Sequence, residues 1–215
     1  MSDLVLYVGN KNYSSWSLRP WLALKGCGVP FTDVVIPFDF PNGNPRFREI
    51  SPTARVPVLH HGAVRVWESL AIIEYAAELF PEAGLWPEDL VDRAMARSIS
   101  MEMLAGFRAL RGACPMNIRR PVGAIALPEG VMEDVARIET IWAQAVAKSG
   151  GPFLFGQFTA ADAMFAPVVN RLEIYALTQD PVSLAYIAAV KAHPAFLAWQ
   201  TDALAETWIV PEDEA

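Results

Sequence analysis

Cysteine and histidine are scarce: Cys27, Cys114 and three histidines are all that 215 residues contain. The two cysteines stand far apart without metal-ligand neighbours, which argues against a disulfide framework and against zinc, and fits a reducing compartment. Positive charge is also in short supply. Lys and Arg total 17 against 24 Asp and Glu, a formal charge of −7, so neither nucleic acid nor an anionic membrane is expected as the main partner. An anionic small molecule stays compatible if arginines cluster locally. Long apolar runs are lacking too. The longest uncharged stretch is the thirteen residues between Lys148 and Asp162, and it contains Gly150-Gly151-Pro152, so no bilayer span is expected. Met1-Ser2-Asp3 carries no basic patch and Leu4 to Gly9 is too short for a signal-peptide core, so the expected location is the cytoplasm.

What is present is apolar residue at 53%, with 19% charged and a mean hydropathy of +0.24. That composition supports a core without staples and rules out disorder, collagen and a charged coiled coil.

The first eighty residues read as mixed α/β and the remainder as helix. Leu4-Val5-Leu6-Tyr7-Val8 is a short apolar strand of the kind buried on both faces, and Asn10 to Ser15 is a polar turn. A helix is predicted from Trp16 to Lys25, with Pro20 in its first turn and Gly26 and Gly28 to end it. Thr32 to Ile36 predicts a second strand, parallel to the first across the helical crossover. Asn44 to Ile50 suits a short helix. Val56-Pro57-Val58-Leu59, the turn His61-Gly62 and Val64-Arg65-Val66 form a hairpin. A helix over Ser69 to Leu79 follows, with Leu70, Ile73, Ala77 and Phe80 as its sheet-facing stripe. The order is βαβ, then ββα.

Two prolines and a glycine within Pro81 to Glu88 mark a linker, so the expected division is 1–80, a linker at 81–88, and a helical domain at 89–215. Helices are predicted over Leu90–Arg111, Glu129–Lys148, Thr159–Leu177, Pro181–Lys191 and Pro194–Trp208. Thr159-Ala-Ala-Asp162 is a capping box with Asp in place of Glu, and its hydrophobic staple would pair Phe158 with Ala163.

Three short stretches could carry chemistry. Ser14-Ser15-Trp16-Ser17 lies between the first strand and first helix, where backbone N–H groups and the helix dipole favour an anion such as a thiolate. In a thioredoxin-like unit the spacing of Ser14 and Ser17 is that of a Cys-x-x-Cys pair. Serine excludes disulfide exchange but can donate a hydrogen bond to a ligand's sulfur and lower its pKa. Simple capping of the helix by Ser14 or Ser15 explains the same residues. Val56-Pro57 opens the hairpin, where a cis peptide would turn the Val56 backbone toward an extended peptide ligand; a trans proline on an edge strand is the alternative. Glu68-Ser69 precedes a helix, so Ser69 could present its hydroxyl and N–H to a carboxylate while Glu68 accepts from an ammonium. A plain cap with a dipole-favourable acid is again the alternative.

In this order and spacing, from Ser14 through Val56-Pro57 and Glu68-Ser69 to Thr159-Ala-Ala-Asp162, the chain resembles the cytosolic glutathione transferases over essentially its full length. The resemblance implies a thioredoxin-like α/β N-terminal domain followed by an all-α C-terminal domain. It further implies glutathione as co-substrate and no metal, with Ser14 as the catalytic contact to sulfur and Ser15, Arg55, Val56, Pro57, Glu68 and Ser69 holding the peptide. Ser14-Ser15-Trp16-Ser17-Leu18-Arg19 is most similar to the zeta class, whose stretch reads Ser-Ser-Cys-Ser-Trp-Arg. The class cysteine falls at Trp16, and the arginine it uses toward its substrate falls near Ile174, with Arg171 one turn away.

The electrophile would then sit between the Ser14 loop and the first long helix of the second domain, whose Met101, Met103, Leu104, Phe107, Arg108 and Arg111 are candidates to line the pocket. Met103 and Phe107 could equally be core, and the arginines a solvated face. Trp16 would narrow the mouth. The expected activity is attack of a glutathione thiolate on a small electrophile. A glutathione-dependent cis-trans isomerase like maleylacetoacetate isomerase, and a non-catalytic glutathione-binding interaction protein, are the alternatives. The resemblance also implies a homodimer, with Arg65, Glu74, Glu78, Arg93 and Arg97 near its rim.

Overall fold

The computed structural model describes residues 4–39 and 42–214; Met1-Ser2-Asp3 and residue 215, at the ends of the expected domains, lie outside them. Strand β1 (Leu4–Val8) runs between β2 (Thr32–Val35), to which it is parallel, and β3 (Val58–His61), to which it is antiparallel. With β4 (Val64–Trp67) the order is β2-β1-β3-β4. Leu4, Leu6 and Val8 are buried while Val5 and Tyr7 are half-buried, so one face of β1 packs fully and the other only in part. The expected burial on both faces is corrected accordingly, because the helices α1 (Ser15–Gly26) and α3 (Ser69–Leu79) supply apolar cover from one side.

The ends of α1, β2 and α3 fall within a residue of the sequence expectation, and the short helix α2 covers Arg46–Ile50. The buried residues of α3 are Ser69, Ile72, Ile73 and Ala76, of which only Ile73 belongs to the predicted stripe; Leu70, Ala77 and Phe80 are partly buried against the core. The stripe is turned because α3 is wedged against α1 and β3 and also meets α4 (Leu90–Ala105).

The helical part continues with α5 (Arg108–Ala113), α6 (Val131–Ser149), α7 (Ala160–Ile174), α8 (Pro181–Ala192) and α9 (Pro194–Ala205). Among the described residues no single helix is long and apolar enough to cross a membrane. The expected helix Leu90–Arg111 is two. Gly106 ends α4, where an added Cβ would lie 2.8 Å from the Glu102 carbonyl oxygen, and Phe107 takes a left-handed φ of 55°. Arg111 stabilises the break by donating from Nη1 to the carbonyls of Leu104 at 2.9 Å and Gly106 at 3.2 Å, a cation on the negative end of α4.

Helix α7 is buried almost all round and packs on α1, which joins the two parts of the chain. Its start is the predicted box. The Asp162 carboxylate accepts from the Thr159 N–H at 2.8 Å, the Thr159 hydroxyl at 3.1 Å, the Leu154 N–H at 3.0 Å and the Tyr186 hydroxyl at 3.0 Å. The ring of Phe158, the residue expected to staple onto Ala163, stacks on His193 with centroids 4.2 Å apart.

A second pin joins the halves. Lys11, in the loop after β1, places Nζ 2.8 Å from Asp33 in β2 and 2.7 Å from Asp202 on α9, against the adjoining rings of Trp21 and Trp199. Its backbone carbonyl accepts from the Trp199 indole at 2.9 Å.

Candidate functional site

The loop from Gly9 to Ser14 is polar and yet almost wholly buried, so each of its groups needs a partner. Asn10 Oδ1 accepts the Phe38 N–H at 2.7 Å, and Asn12 Nδ2 donates to Asn117 Oδ1 at 2.9 Å while Asn12 Oδ1 accepts the Arg119 N–H at 2.9 Å. The loop is thereby stitched to the helical part on one side and to the segment after β2 on the other. This fixes where α1 begins.

Ser14 is the N-cap of α1. Its Oγ accepts from the Ser17 N–H at 3.3 Å and lies 2.8 Å from Ser17 Oγ, which in turn accepts the Gly9 N–H at 3.1 Å. The capping alternative is therefore realised, and it places Ser14 in a cavity wall. A cavity of about 610 Å³ opens beside it, lined among others by Ser14, Ser15, Trp16, Arg55, Val56 and Arg111. That volume is in the range that encloses a ligand of several hundred daltons. A smaller cavity of about 140 Å³ lies between Trp16, Arg55, Val56, Pro57 and Glu68. The Val56–Pro57 peptide is cis. So Ser14, Ser15, Trp16, Arg55, Val56, Pro57 and Glu68 converge on two adjoining hollows, although 54 residues of sequence part the first from the last.

Ser69 is placed differently. Glu68 occupies the cap position with a φ of 71°, which makes Ser69 the first residue of α3; its side chain is fully buried and its hydroxyl donates to the Trp16 carbonyl at 2.6 Å. A solvent-facing Ser69 hydroxyl is thus corrected: the group positions Trp16.

A third hollow, of about 500 Å³, lies beyond Trp16 and is lined by Ser15, Leu104, Arg108, Arg111 and Arg171. Met103 and Phe107 sit in the core, the alternative the sequence left open, while Leu104, Arg108 and Arg111 line the cavity as expected. Trp16 separates the hollows. The guanidinium carbons of Arg19 and Arg111 each lie 4.8 Å from a Trp16 ring centroid, a cation–π arrangement.

Sequence reasoning did not find Arg19, the wall residues Tyr13, Phe38 and Met116, or the C-terminal Glu212 and Asp213. Arg19 is completely buried and its pKa is lowered well below the usual guanidinium value, by burial first and then by Arg171 and Arg111. Burial and Arg111 hold Arg171 down to about 10. A lone arginine, the only charge between Lys11 and Lys25 in a helix of apolar neighbours, was the available signal. The thiols of the chain are poor nucleophiles: burial pushes Cys27 up to about 12 and raises Cys114 as well. A reactive sulfur in this cleft has to arrive with a ligand.

Four of the five charges expected at a dimer rim are engaged within the chain: Arg97 grips Glu74 through two bonds of 2.9 Å, Arg93 donates to the Pro87 and Glu88 carbonyls, and Arg65 to that of Gly62.

Comparison with known proteins agrees with this geometry. The family model for the Glutathione S-transferase N-terminal domain matches residues 13–79, and that for the Glutathione S-transferase C-terminal domain matches residues 118–199. A probable maleylacetoacetate isomerase of Caenorhabditis elegans is 29% identical over 88% of this chain and 92% of its own length. The maleylacetoacetate isomerase of Rattus norvegicus is 28% identical over 82% of each chain. Among solved structures, a glutathione transferase homologue from Burkholderia with bound glutathione superimposes with a TM-score of 0.73 at 23% identity, covering 96% of this chain and all of its own. Glutathione transferase Omega 2S from Trametes versicolor gives 0.73 at 20% identity over 99% of each chain. A four-stranded mixed sheet with a serine-capped helix at its cleft, followed by a helical half, and two matching domain models covering both halves lead to one conclusion: the chain belongs to the glutathione S-transferase family.

Proposed function

We propose that the chain is a glutathione transferase in which residues 1–80 bind glutathione, 81–88 link, and 89–215 complete the pocket for the electrophile. The convergence of Ser14, Ser15, Arg55, Val56, Pro57 and Glu68 on two adjoining hollows is the observation that carries this reading. The cysteinyl backbone would pair with Val56, as an added strand does. The γ-glutamyl ammonium would face Glu68, and its carboxylate the first-turn N–H groups of α3, with Ser69 acting through Trp16 and its own N–H.

Ser14 would stabilise the thiolate. Its single proton is now directed at Ser17 Oγ, 2.8 Å away; reversal of that pair, with Ser17 donating to Ser14, frees the Ser14 proton for sulfur. The thiolate lone pair then forms the carbon–sulfur bond and the leaving group departs with the bonding electrons, at a rate raised chiefly by proximity. The electrophile would share the Ser14 cavity with glutathione, bordered by Trp16, Arg111 and Arg171, with Arg108 in the adjoining hollow. The names of the two isomerase relatives favour a second reading with the same site: the thiolate adds to an activated double bond, the resulting single bond of the stabilised carbanion rotates, and elimination reforms the double bond and expels the thiolate. We infer a cytoplasmic homodimer, supported by the exposed Leu90, Val91 and Trp67 near α3 and α4.

The test is calorimetric titration with glutathione followed by turnover of chlorodinitrobenzene and of a cis-enone diacid. Saturable binding with turnover of either supports the reading, the compound turned over choosing between transferase and isomerase. Absence of binding refutes it.

A further inference from the structure

The cavity beside Ser14 carries charges that thiol activation does not use. Arg111 and Arg171 line it, and among the described residues no carboxylate lies within 4.0 Å of the Arg19, Arg111 or Arg171 guanidinium groups. The terminal nitrogens of the buried Arg19 have no hydrogen-bond partner. Buried cations in such numbers call for a counter-charge.

The chain brings one from its far end. After α9 it runs back across the cleft and places Glu212 and Asp213, in the short turn Pro211–Asp213, in the wall of the same cavity. This strap is tied at several points. The Glu206 carboxylate accepts the N–H groups of Lys11 at 2.7 Å and Asn12 at 3.1 Å. Arg119 donates to the carbonyls of Glu206 at 2.6 Å and Trp208 at 2.7 Å. Glu214 accepts from the Tyr13 hydroxyl and from Asn117 Nδ2. Lys11, Asn12 and Tyr13 belong to the loop that ends at Ser14, so the strap and the thiol site share one support.

The carboxylates of Glu212 and Asp213, in contrast, have no hydrogen-bond or ion-pair partner among the described residues. They sit in the cavity near the arginines without being spent on them. Asp213 is half-buried; burial raises its pKa, the field of Arg171 opposes that rise, and the neighbouring Glu212 and Glu214 add to it.

We propose that Glu212 and Asp213 set the charge specificity of the electrophile site, acting as internal counter-ions to Arg111 and Arg171 that an anionic co-substrate has to outcompete. The inference rests on the glutathione transferase reading for its substrates. With the two carboxylates present the cavity accepts neutral electrophiles; with them removed the unbalanced arginines select for anions.

The experiment compares a chloronitrobenzoate with the corresponding benzamide, which differ in one charge at the same reacting carbon. The ratio of kcat/KM for the acid over the amide is measured in the wild type and in the double variant Glu212→Gln, Asp213→Asn. Two like charges removed from a half-solvated anion seat predict a rise in that ratio of about five- to tenfold, carried by KM and weakened by salt. An unchanged or lowered ratio overturns the proposal. If the wild type transfers thiol to neither compound, the transferase reading fails separately, and the same ratio is taken from calorimetric binding of the acid and the amide: a rise in the double variant still supports the counter-ion role, and no rise refutes it.

Discussion

Replacing Lys11 by methionine should damage the protein less than neutralising the two acids that hold it. The Lys11 side chain is 4% exposed, whereas those of Asp33 and Asp202 are 30% and 55% exposed. Removing the ammonium releases two carboxylates that water can take back, and methionine keeps the apolar contact with Trp21 and Trp199, so the cost is about 1–3 kcal/mol. Changing both acids to asparagine leaves a cation away from water with only the more distant Glu206 as counter-charge, which costs about 3–5 kcal/mol. Lys11→Met in the Asp33→Asn, Asp202→Asn background should then restore about 2 kcal/mol, because it removes the stranded charge. Urea unfolding followed by tryptophan fluorescence measures all four proteins, with Trp21 and Trp199 reporting from the site itself. If Lys11→Met proved the costlier change, or failed to rescue the neutralised pair, the account of Lys11 as a buried charge dependent on two wetter acids would be wrong.

Asp162→Ala strips four donors of their common acceptor in a fully buried place and should cost about 3–5 kcal/mol in the same assay; a loss below about 1 kcal/mol would contradict the capping role. Glu68→Gln should raise the KM for glutathione by about tenfold while kcat stays within about twofold, since the remote amino-acid end is bound alike in ground and transition states; a collapse of kcat at unaltered KM would move Glu68 to the chemistry. Light scattering should give the mass of a dimer, and a monomer of 23.6 kDa that binds glutathione would remove the dimer from the account and leave the site intact.

The parts of the molecule legible in the sequence are those whose signals are local. Gly62 and its flanking valines mark the hairpin, Thr159 and Asp162 mark the start of α7, and α3 runs over the predicted Ser69–Leu79. The break at Gly106 was not legible, because one glycine inside an apolar-periodic stretch is compatible with a continuous helix; what decides it is the approach to the Glu102 carbonyl and the reach of Arg111. Its consequence is functional, since Arg111, which bonds to the broken end of α4, stands in the cavity wall. Ser69 shows a different limit. Its place at a helix start is local, but the partner of its hydroxyl, Trp16, is 53 residues away. The strap from Glu206 to Glu214 has no periodic pattern, and only its long-range bonds to Lys11, Asn12, Tyr13 and Arg119 define it.

The central claim is that Ser14 holds a glutathione sulfur in its charged form, and the thiolate absorbance of the bound peptide, titrated against pH, tests it most directly. A hydrogen bond to a charged group is worth about 1.5–3 kcal/mol, or roughly one to two pH units. The account predicts a wild-type midpoint at least one unit below the free-thiol value of about 8.5, and an upward return of about one unit or more in Ser14→Ala, with glutathione affinity kept within a few fold. A Ser14→Ala midpoint equal to that of the wild type, especially with a shift in Ser15→Ala instead, would contradict the assignment.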